Sequence, residues 1–497
     1  MPFPTRLRFF SHLALGGLLL ATSCKSNDPA TPTPTPPPPT NPTTPTTPTT
    51  PSQVAVWLTM PDKSALFYRQ KLNLQFSSTI NSDPTITVDT TKTFQTMDGF
   101  GYALTGGSAQ VMNRMDAASR AALIKELFAT DSTSLGVSYL RVSIGASDLD
   151  SQVFTYDDAT LPDPTLAQFS LAPDQTNLIP VLKQILAVNP AIKILGSPWT
   201  APAWMKSNNS YVGGSLLPQY YDAYARYFVK YIQGMQAQGI TIDAMTLQNE
   251  PLNPNNNPSM VMQAQEQANF IKNNVGPAFK AAGLTTKIIA YDHNTDQTDY
   301  PLTVLGDAGA NPYVDGSAFH FYSPAVPITV LSQVHDAYPT KNIYFTEFWT
   351  QAPGNGHVVD FGGELAYHVG NLEIGAVRNW SKNVLEWNLA SDQNYGPYTS
   401  GGCNSCLGAV TINGNTVTRN PAYYNIAHSS KFVRPGSVRV ATNVPGNLQN
   451  VAYKTPNGKR CLVVLNTGTT QQSFNIQYKG KAVNTSLYGG AVATYIW

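Results

Sequence analysis

The chain is predicted to fold as an α/β protein, a (β/α)8 TIM barrel with an attached antiparallel β-sandwich side domain. Three observations point there. Between residues 96 and 431, eight short apolar, strand-like segments alternate with helix-like ones, and such alternation implies parallel βα units. Polar and aromatic residues recur at the C-terminal end of these segments, where a barrel of this kind carries its site. From residue 432 to 497, short β-rich runs punctuated by Gly, Asn and Pro replace the helical period.

Residues 1–24 have the pattern of a lipoprotein-type signal peptide. Arg6 and Arg8 precede an apolar run from Phe9 to Ala21, too short to span a bilayer as a mature helix. Ala21-Thr22-Ser23-Cys24 then resembles a bacterial lipobox, which makes Cys24 the candidate for lipidation. The alternative is an ordinary cleaved signal with an incidental cysteine. Residues 25–53 are dominated by Pro and Thr (TPTPTPPPPTNPTTPTTPTTPSQ) and cannot bury apolar area, so an extended, semi-rigid linker is expected. The chain is thus expected to be exported and lipid-anchored to a bacterial membrane, periplasmic or cell-surface.

The chain has 497 residues, room for a large barrel with an attachment. A net charge of +1 with 12% charged residues gives no support to a nucleic-acid or anionic-membrane partner. Aromatics at 10% beside many uncharged polar residues suit a neutral polar ligand such as sugar. Cys403-Asn404-Ser405-Cys406 has no second CxxC or His pair to complete a zinc site, so a loop disulfide is the first reading. Cys461 reads as a buried strand residue.

In order, the strand candidates are Asp98–Thr105, Val137–Ile144, Ile192–Ser197, Ala244–Asn249, Lys287–His293, Gly316–Tyr322, Asn342–Thr346 and Lys382–Asn388. Helical patterns lie at Ala117–Phe128, Leu178–Val188, Tyr220–Gln238, Ser259–Ala282, Pro327–Ala337 and Glu364–Val377. Residues 54–95 are strand-like at Val54–Leu58 and Thr85–Val88 and are expected to join the C-terminal β-domain, residues 432–497, outside the 96–431 barrel.

Two carboxylates stand at strand ends. Glu250 follows Thr246-Leu247-Gln248-Asn249 and precedes Pro251, at the close of the fourth strand, and Glu347 closes the seventh, Ile343-Tyr344-Phe345-Thr346. Two glutamates projecting into one cleft are what glycosidic cleavage needs. One is held protonated by burial and its neighbour and donates to the leaving oxygen; the other attacks the anomeric carbon. In retaining enzymes they lie about 5–5.5 Å apart.

The chain resembles family 30 of the glycoside hydrolases, which includes glucosylceramidases and endo-β-1,6-glucanases. The matching stretches include Met97-Asp98-Gly99-Phe100-Gly101-Tyr102, Leu140-Arg141-Val142-Ser143, Ser197-Pro198-Trp199-Thr200-Ala201-Pro202, Asn249-Glu250-Pro251, His320-Phe321-Tyr322, Thr346-Glu347, Trp387-Asn388 and His428-Ser429-Ser430-Lys431-Phe432. The resemblance implies a retaining double displacement, with Glu250 as acid/base and Glu347 as nucleophile, and no metal or organic cofactor. It makes Arg141, Asp148, Trp199, Asn249, His320, Tyr322 and Trp387 pocket residues. For His320 a structural role behind the pocket stays open, as does a buried ion pair for Arg141.

The loop Gly401-Gly402-Cys403-Asn404-Ser405-Cys406 resembles that of bacterial endo-β-1,6-glucanases, and substrate preference in a barrel is a loop property. The expected function is a retaining endo-β-1,6-glucanase acting on a β-glucan or β-glucoside. An exo-acting β-glucosidase or glucosylceramidase and a non-catalytic glycan-binding protein are the alternatives. A monomer is expected, with membrane contact only through the lipid anchor.

Overall fold

The computed structural model describes residues 51–354 and 357–497. The signal peptide, Cys24 and all but the last residues of the linker lie outside them. Eight parallel strands close into a barrel: β1 Gly99–Ala103, β2 Tyr139–Ile144, β3 Lys193–Pro198, β4 Ala244–Thr246, β5 Lys287–Asn294, β6 Val314–His320, β7 Asn342–Glu347 and β8 Ser381–Glu386. Each coincides with one of the eight expected segments.

Side chains alternate across a strand, so residues two apart share a face. Tyr139, Leu195, Ala244, Ile289, Ala318, Tyr344 and Leu385 form one buried apolar cluster within the barrel. Two residues further along most of these strands stand Arg141, Ser197, Thr246, His320, Thr346 and Trp387. The apolar layer is therefore the floor on which a polar layer rests.

The outer helices Ala117–Phe128 and Leu178–Val188 have the expected bounds. The expected Ser259–Ala282 helix begins only at Ala264, where the Glu266 carboxylate accepts from the Gln263 N–H at 2.7 Å, and its middle, Ile271–Val275, is π-helical. The expected Glu364–Val377 helix begins at Phe361 behind the cap Asp360, and Pro327–Ala337 begins at Val330. Helices at Gly106–Arg114, Asp299–Gly306 and Pro421–Ser430 were not expected. In the first, Gly106-Gly107 masks a start fixed by Thr105, whose side chain accepts from the Ser108 N–H at 3.0 Å.

The side domain is a nine-stranded sheet from both ends of the described chain. Ala55–Thr59 pairs with Val492–Ile496, and Thr85–Thr96 lies between Val438–Thr442 and Gln472–Tyr478. The sheet is not wholly antiparallel, because Thr85–Thr96 runs parallel to Gln472–Tyr478. Phe474 and Tyr495 come from strands far apart in the sheet order yet meet at 6.1 Å, so the sheet folds back on itself as a sandwich. His428, on the last barrel helix, bonds Thr59 Oγ1 and Thr494 Oγ1 of the side domain, both at 2.8 Å. Arg378 similarly donates to Thr442 Oγ1 at 2.9 Å. Among the described residues no helix is long and apolar enough to cross a membrane.

Candidate active site

Glu250 and Glu347 meet at the C-terminal mouth of the barrel. Together with His320 they place one potential ligand atom each within 4.8 Å of one another. Glu347 closes β7, where its Oε2 accepts from Arg141 Nη1 at 2.5 Å and its Oε1 from the Tyr322 hydroxyl at 3.0 Å. Glu250 sits past β4 with φ 46°, in the left-handed region that non-glycine residues avoid, and just before a proline. Such a conformation costs on the order of 1–3 kcal/mol and persists only where neighbours fix it. Here the Glu250 N–H donates to the Asp292 carbonyl at 2.9 Å and the Asn249 N–H to the Pro198 carbonyl at 2.7 Å. Glu250 Oε2 accepts from Asn253 at 2.8 Å.

Arg141 is the hub beneath the pair. It is 1% exposed, and Nη2 donates to Asn249 Oδ1 at 2.7 Å and Asp292 Oδ2 at 2.9 Å. Asp292, not among the predicted site residues, is the centre of the polar layer. It also accepts from Ser197, Thr246 and Thr346 hydroxyls at 2.8, 2.7 and 2.6 Å. It reaches the barrel axis through an irregularity in β5: Tyr291 and Asp292 have φ 74° and 83°, and the register against β6 shifts between Tyr291 and His293.

A cleft of about 360 Å³ opens above the pair. Of the predicted site residues, Asp148, Glu250, Tyr322, Glu347 and Trp387 line it. Arg141, Trp199, Asn249 and His320 do not; they lie beneath. Trp199 is 1% exposed and stacks against Trp387 at 5.3 Å, with the Arg141 guanidinium 4.8 Å from its ring. Trp199, a pocket residue by the family resemblance, thus lies under the cleft and props Trp387, which lines it. Residues missed in the sequence supply more of the wall: Asn253, Asn255, Asn256 and Trp349. Cys403 and Cys406 form a disulfide in this wall, and the Cys403 N–H donates to Asp148 Oδ2 at 3.3 Å.

Residues 97–433 match the glycosyl hydrolase family 30 TIM-barrel domain, and residues 436–495 match that family's beta sandwich domain. The chain belongs to glycosyl hydrolase family 30. An endo-1,6-beta-D-glucanase of Trichoderma harzianum is 39% identical over 397 residues, covering 75% of this chain and 78% of the relative. The lysosomal acid glucosylceramidase of Mus musculus is 29% identical, covering 83% of each. A solved endo-beta1,6-glucanase superposes with a TM-score of 0.84 at 37% identity, covering 89% of this chain and 99% of the other.

The charge pattern of this family 30 site departs from the sequence expectation in one respect. Burial works against a charged His320, but the charge of Glu347 and the bonds to Asp292 (3.1 Å) and Glu250 (3.3 Å) outweigh it and push the imidazole up to about 9. Burial alone would raise Glu250; the bond to and charge of His320 win and bring it down to about 2. The expectation that burial keeps Glu250 protonated thus fails for the free site. Both ring nitrogens of His320 face carboxylates, Glu250 on Nδ1 and Asp292 on Nε2, and this arrangement favours the charged imidazole. Burial raises Glu347, against the pull of His320 and Arg141. Asp148 is pushed up to about 7 by burial and then by the charges of Glu347 and Glu250.

Glu250, His320 and Glu347 are the one group among the described residues that could converge on a metal ion. A dication there would displace the His320 proton and sit against the Arg141 guanidinium, which already neutralises Glu347.

The His320 shift has a measurable consequence. A histidine raised to about 9 from an ordinary 6.5 adds stability that is fully present below pH 6.5 and is lost as pH rises through 9. The melting temperature of the native enzyme should therefore fall between those values more steeply than that of His320→Gln. Parallel slopes in thermal melts of the two proteins would refute the charged imidazole.

Proposed function

We propose that this enzyme is a retaining endo-β-1,6-glucanase in which Glu347 is the nucleophile and Glu250 the acid/base. The observation that carries this reading is the pair itself: two buried carboxylates at the ends of β4 and β7, within 4.8 Å, under an open cleft. That spacing leaves no room for a water between them, as inversion would require.

Glu347 attacks the anomeric carbon from one side while the glycosidic oxygen takes a proton from Glu250. The proton reaches Glu250 Oε1 from His320 Nδ1 at 3.3 Å, which leaves a neutral imidazole donating to Asp292. Arg141 and Tyr322 hold Glu347 in line and accompany its change of charge. Arg141 engages Asn249 Oδ1 and so fixes the amide that precedes the acid/base. Glu250, ionised after the first step, then activates the water that releases the sugar.

Trp387 offers an apolar face to the ring, and Asp148 accepts from its hydroxyls. The endo-1,6 preference is supported by the named glucanases at 37–39% identity and by the disulfide loop in the cleft wall. The test is product analysis on a linear β-1,6-glucan, a β-1,3-glucan and an aryl β-glucoside. Early oligosaccharides from the β-1,6-glucan alone are expected. Glucose as the sole product, or activity only on the aryl glucoside, would favour exo action, as the likeness to a glucosylceramidase would allow.

We further propose that the enzyme is exported, lipidated at Cys24 and held off a bacterial membrane by residues 25–53. The support is the sequence of residues 1–53, and the mass of the mature N-terminus tests it.

A further inference from the structure

A cavity of about 890 Å³ is remote from the catalytic cleft. It is lined by Thr130, Asp131 and Ser132, which join the helix Ala117–Phe128 to the start of β2, and so it lies toward the N-terminal ends of the barrel strands. Glu250 and Glu347 occupy the other end. The side domain supplies the facing wall, with Thr455, Asn457 and Lys459.

Four cations line it: Arg69, Lys431, Arg434 and Lys459. Lys431 Nζ donates to the carbonyls of Ser132 and Ser134 at 2.9 and 2.6 Å, and Arg434 to those of Gly136 and Ser430. Arg69 lies 5.5 Å from the centre of the Trp57 ring. Among the described residues none of the four pairs with a carboxylate. The single lining acid, Asp131, accepts from Thr133 and lies 3.9 Å from Lys125. Carbonyl partners orient Lys431 and Arg434 without neutralising them, and Asp131 offsets part of the Lys431 charge. The four lining cations outnumber that single lining acid, an imbalance an anion would relieve. Trp57, Phe432 and Trp497 add apolar walls, the kind of surface on which the C–H faces of a sugar pack. The net charge of +1 conceals the cluster, because its members come from three separate stretches of the chain.

Ser52 and Gln53 also line this cavity. The described end of the Pro/Thr segment, Ser52 and Gln53, therefore stands at the cavity's rim, on the side away from the cleft. We propose that the cavity is a second binding site, for a phosphate-bearing sugar headgroup displayed on the surface to which the chain is tethered. Bound there, the barrel keeps its catalytic mouth turned away from that surface. The inference rests on the anchored reading only for where the headgroup is displayed; the cavity's preference for an anionic sugar stands without it.

The experiment uses the chain of residues 25–497, which carries neither the apolar run Phe9–Ala21 nor Cys24, the proposed site of lipidation. It is floated with phosphatidylcholine vesicles, with and without monophosphoryl lipid A, a phosphorylated disaccharide on acyl chains. Binding should be stronger to the phosphorylated vesicles and should weaken with salt. Glucose 6-phosphate should compete. The double variant Arg69→Glu/Lys459→Glu alters two exposed side chains and should bind roughly tenfold or more weakly, with kcat/KM on β-1,6-glucan unchanged. Equal binding to both vesicle types, or a double variant that binds like its parent, overturns the site. Competition by β-1,6-glucan but not by glucose 6-phosphate overturns it in favour of a neutral glucan. Binding of glucose 6-phosphate by a parent that does not bind the phosphorylated vesicles overturns the surface as the source. Failure of Cys24 lipidation, read from the N-terminal mass, is a separate result that leaves these outcomes intact.

Discussion

Glu347→Gln should lose turnover on β-1,6-glucan by on the order of 10⁵-fold, because the variant has no anion to form the glycosyl-enzyme ester. The substitution is nearly isosteric, and the site can absorb it. The amide oxygen can accept from Arg141, and the amide nitrogen can donate to the Tyr322 hydroxyl, in place of the bonds Glu347 makes at 2.5 and 3.0 Å. Arg141 keeps Asp292 at 2.9 Å as its counter-charge, so the buried guanidinium is not orphaned. The expected pattern is thus an inactive enzyme with a melting temperature close to the parent's. Mass spectrometry with a slowly released fluoroglycoside supplies the second readout. The parent should gain the mass of one glycosyl unit, and Glu347→Gln should gain none. Near-native turnover in the variant would remove Glu347 from the nucleophile's place.

Much of this was legible in the chain, and the exceptions share a cause. The eight barrel strands could be found because each is a short apolar run closed by a polar or aromatic residue. Glu250 and Glu347 could be found because they stand at two such ends. Asp292 was missed although Asp292-His293-Asn294 is a visible strand end. Strict alternation from Ile289 puts Tyr291 on the inner face and Asp292 on the outer. Only the positive φ angles of Tyr291 and Asp292 turn the carboxylate inward, and nothing in the residue types announces that shift. Trp199 and Trp387 illustrate a related limit. Both lie at strand ends, but which ring of a stacked pair meets the cleft depends on the depth of each strand in the barrel. The location of the proton is a third case. It depends on His320 lying between Glu250 and Asp292, residues 70 and 28 positions away, and no local pattern encodes that convergence.

Glu250→Ala is expected to separate the two halves of the mechanism. On β-1,6-glucan the leaving group is a sugar alkoxide that needs a proton, and the rate should fall by about 10³–10⁴-fold. An aryl glycoside with an activated leaving group departs without that help, so its first step should be nearly spared, while the second, which needs a base, becomes rate-limiting. Added azide needs no base, so it should restore turnover and yield a β-glycosyl azide, which retention of configuration requires. The variant bears on electrostatics as well. The charge of Glu250 is one of the influences that raise Glu347, so its removal should let the nucleophile ionise at lower pH. The acid limb of the aryl-glycoside profile should then move down, and the basic limb, set by the Glu250–His320 proton, should vanish. His320 retains Asp292 at 3.1 Å as a partner, so the imidazole stays in place without its second carboxylate. If azide fails to rescue while the fold is intact, the acid/base belongs elsewhere. If azide rescues but the basic limb remains, Glu250 is the acid/base and the proton it uses is not the one shared with His320.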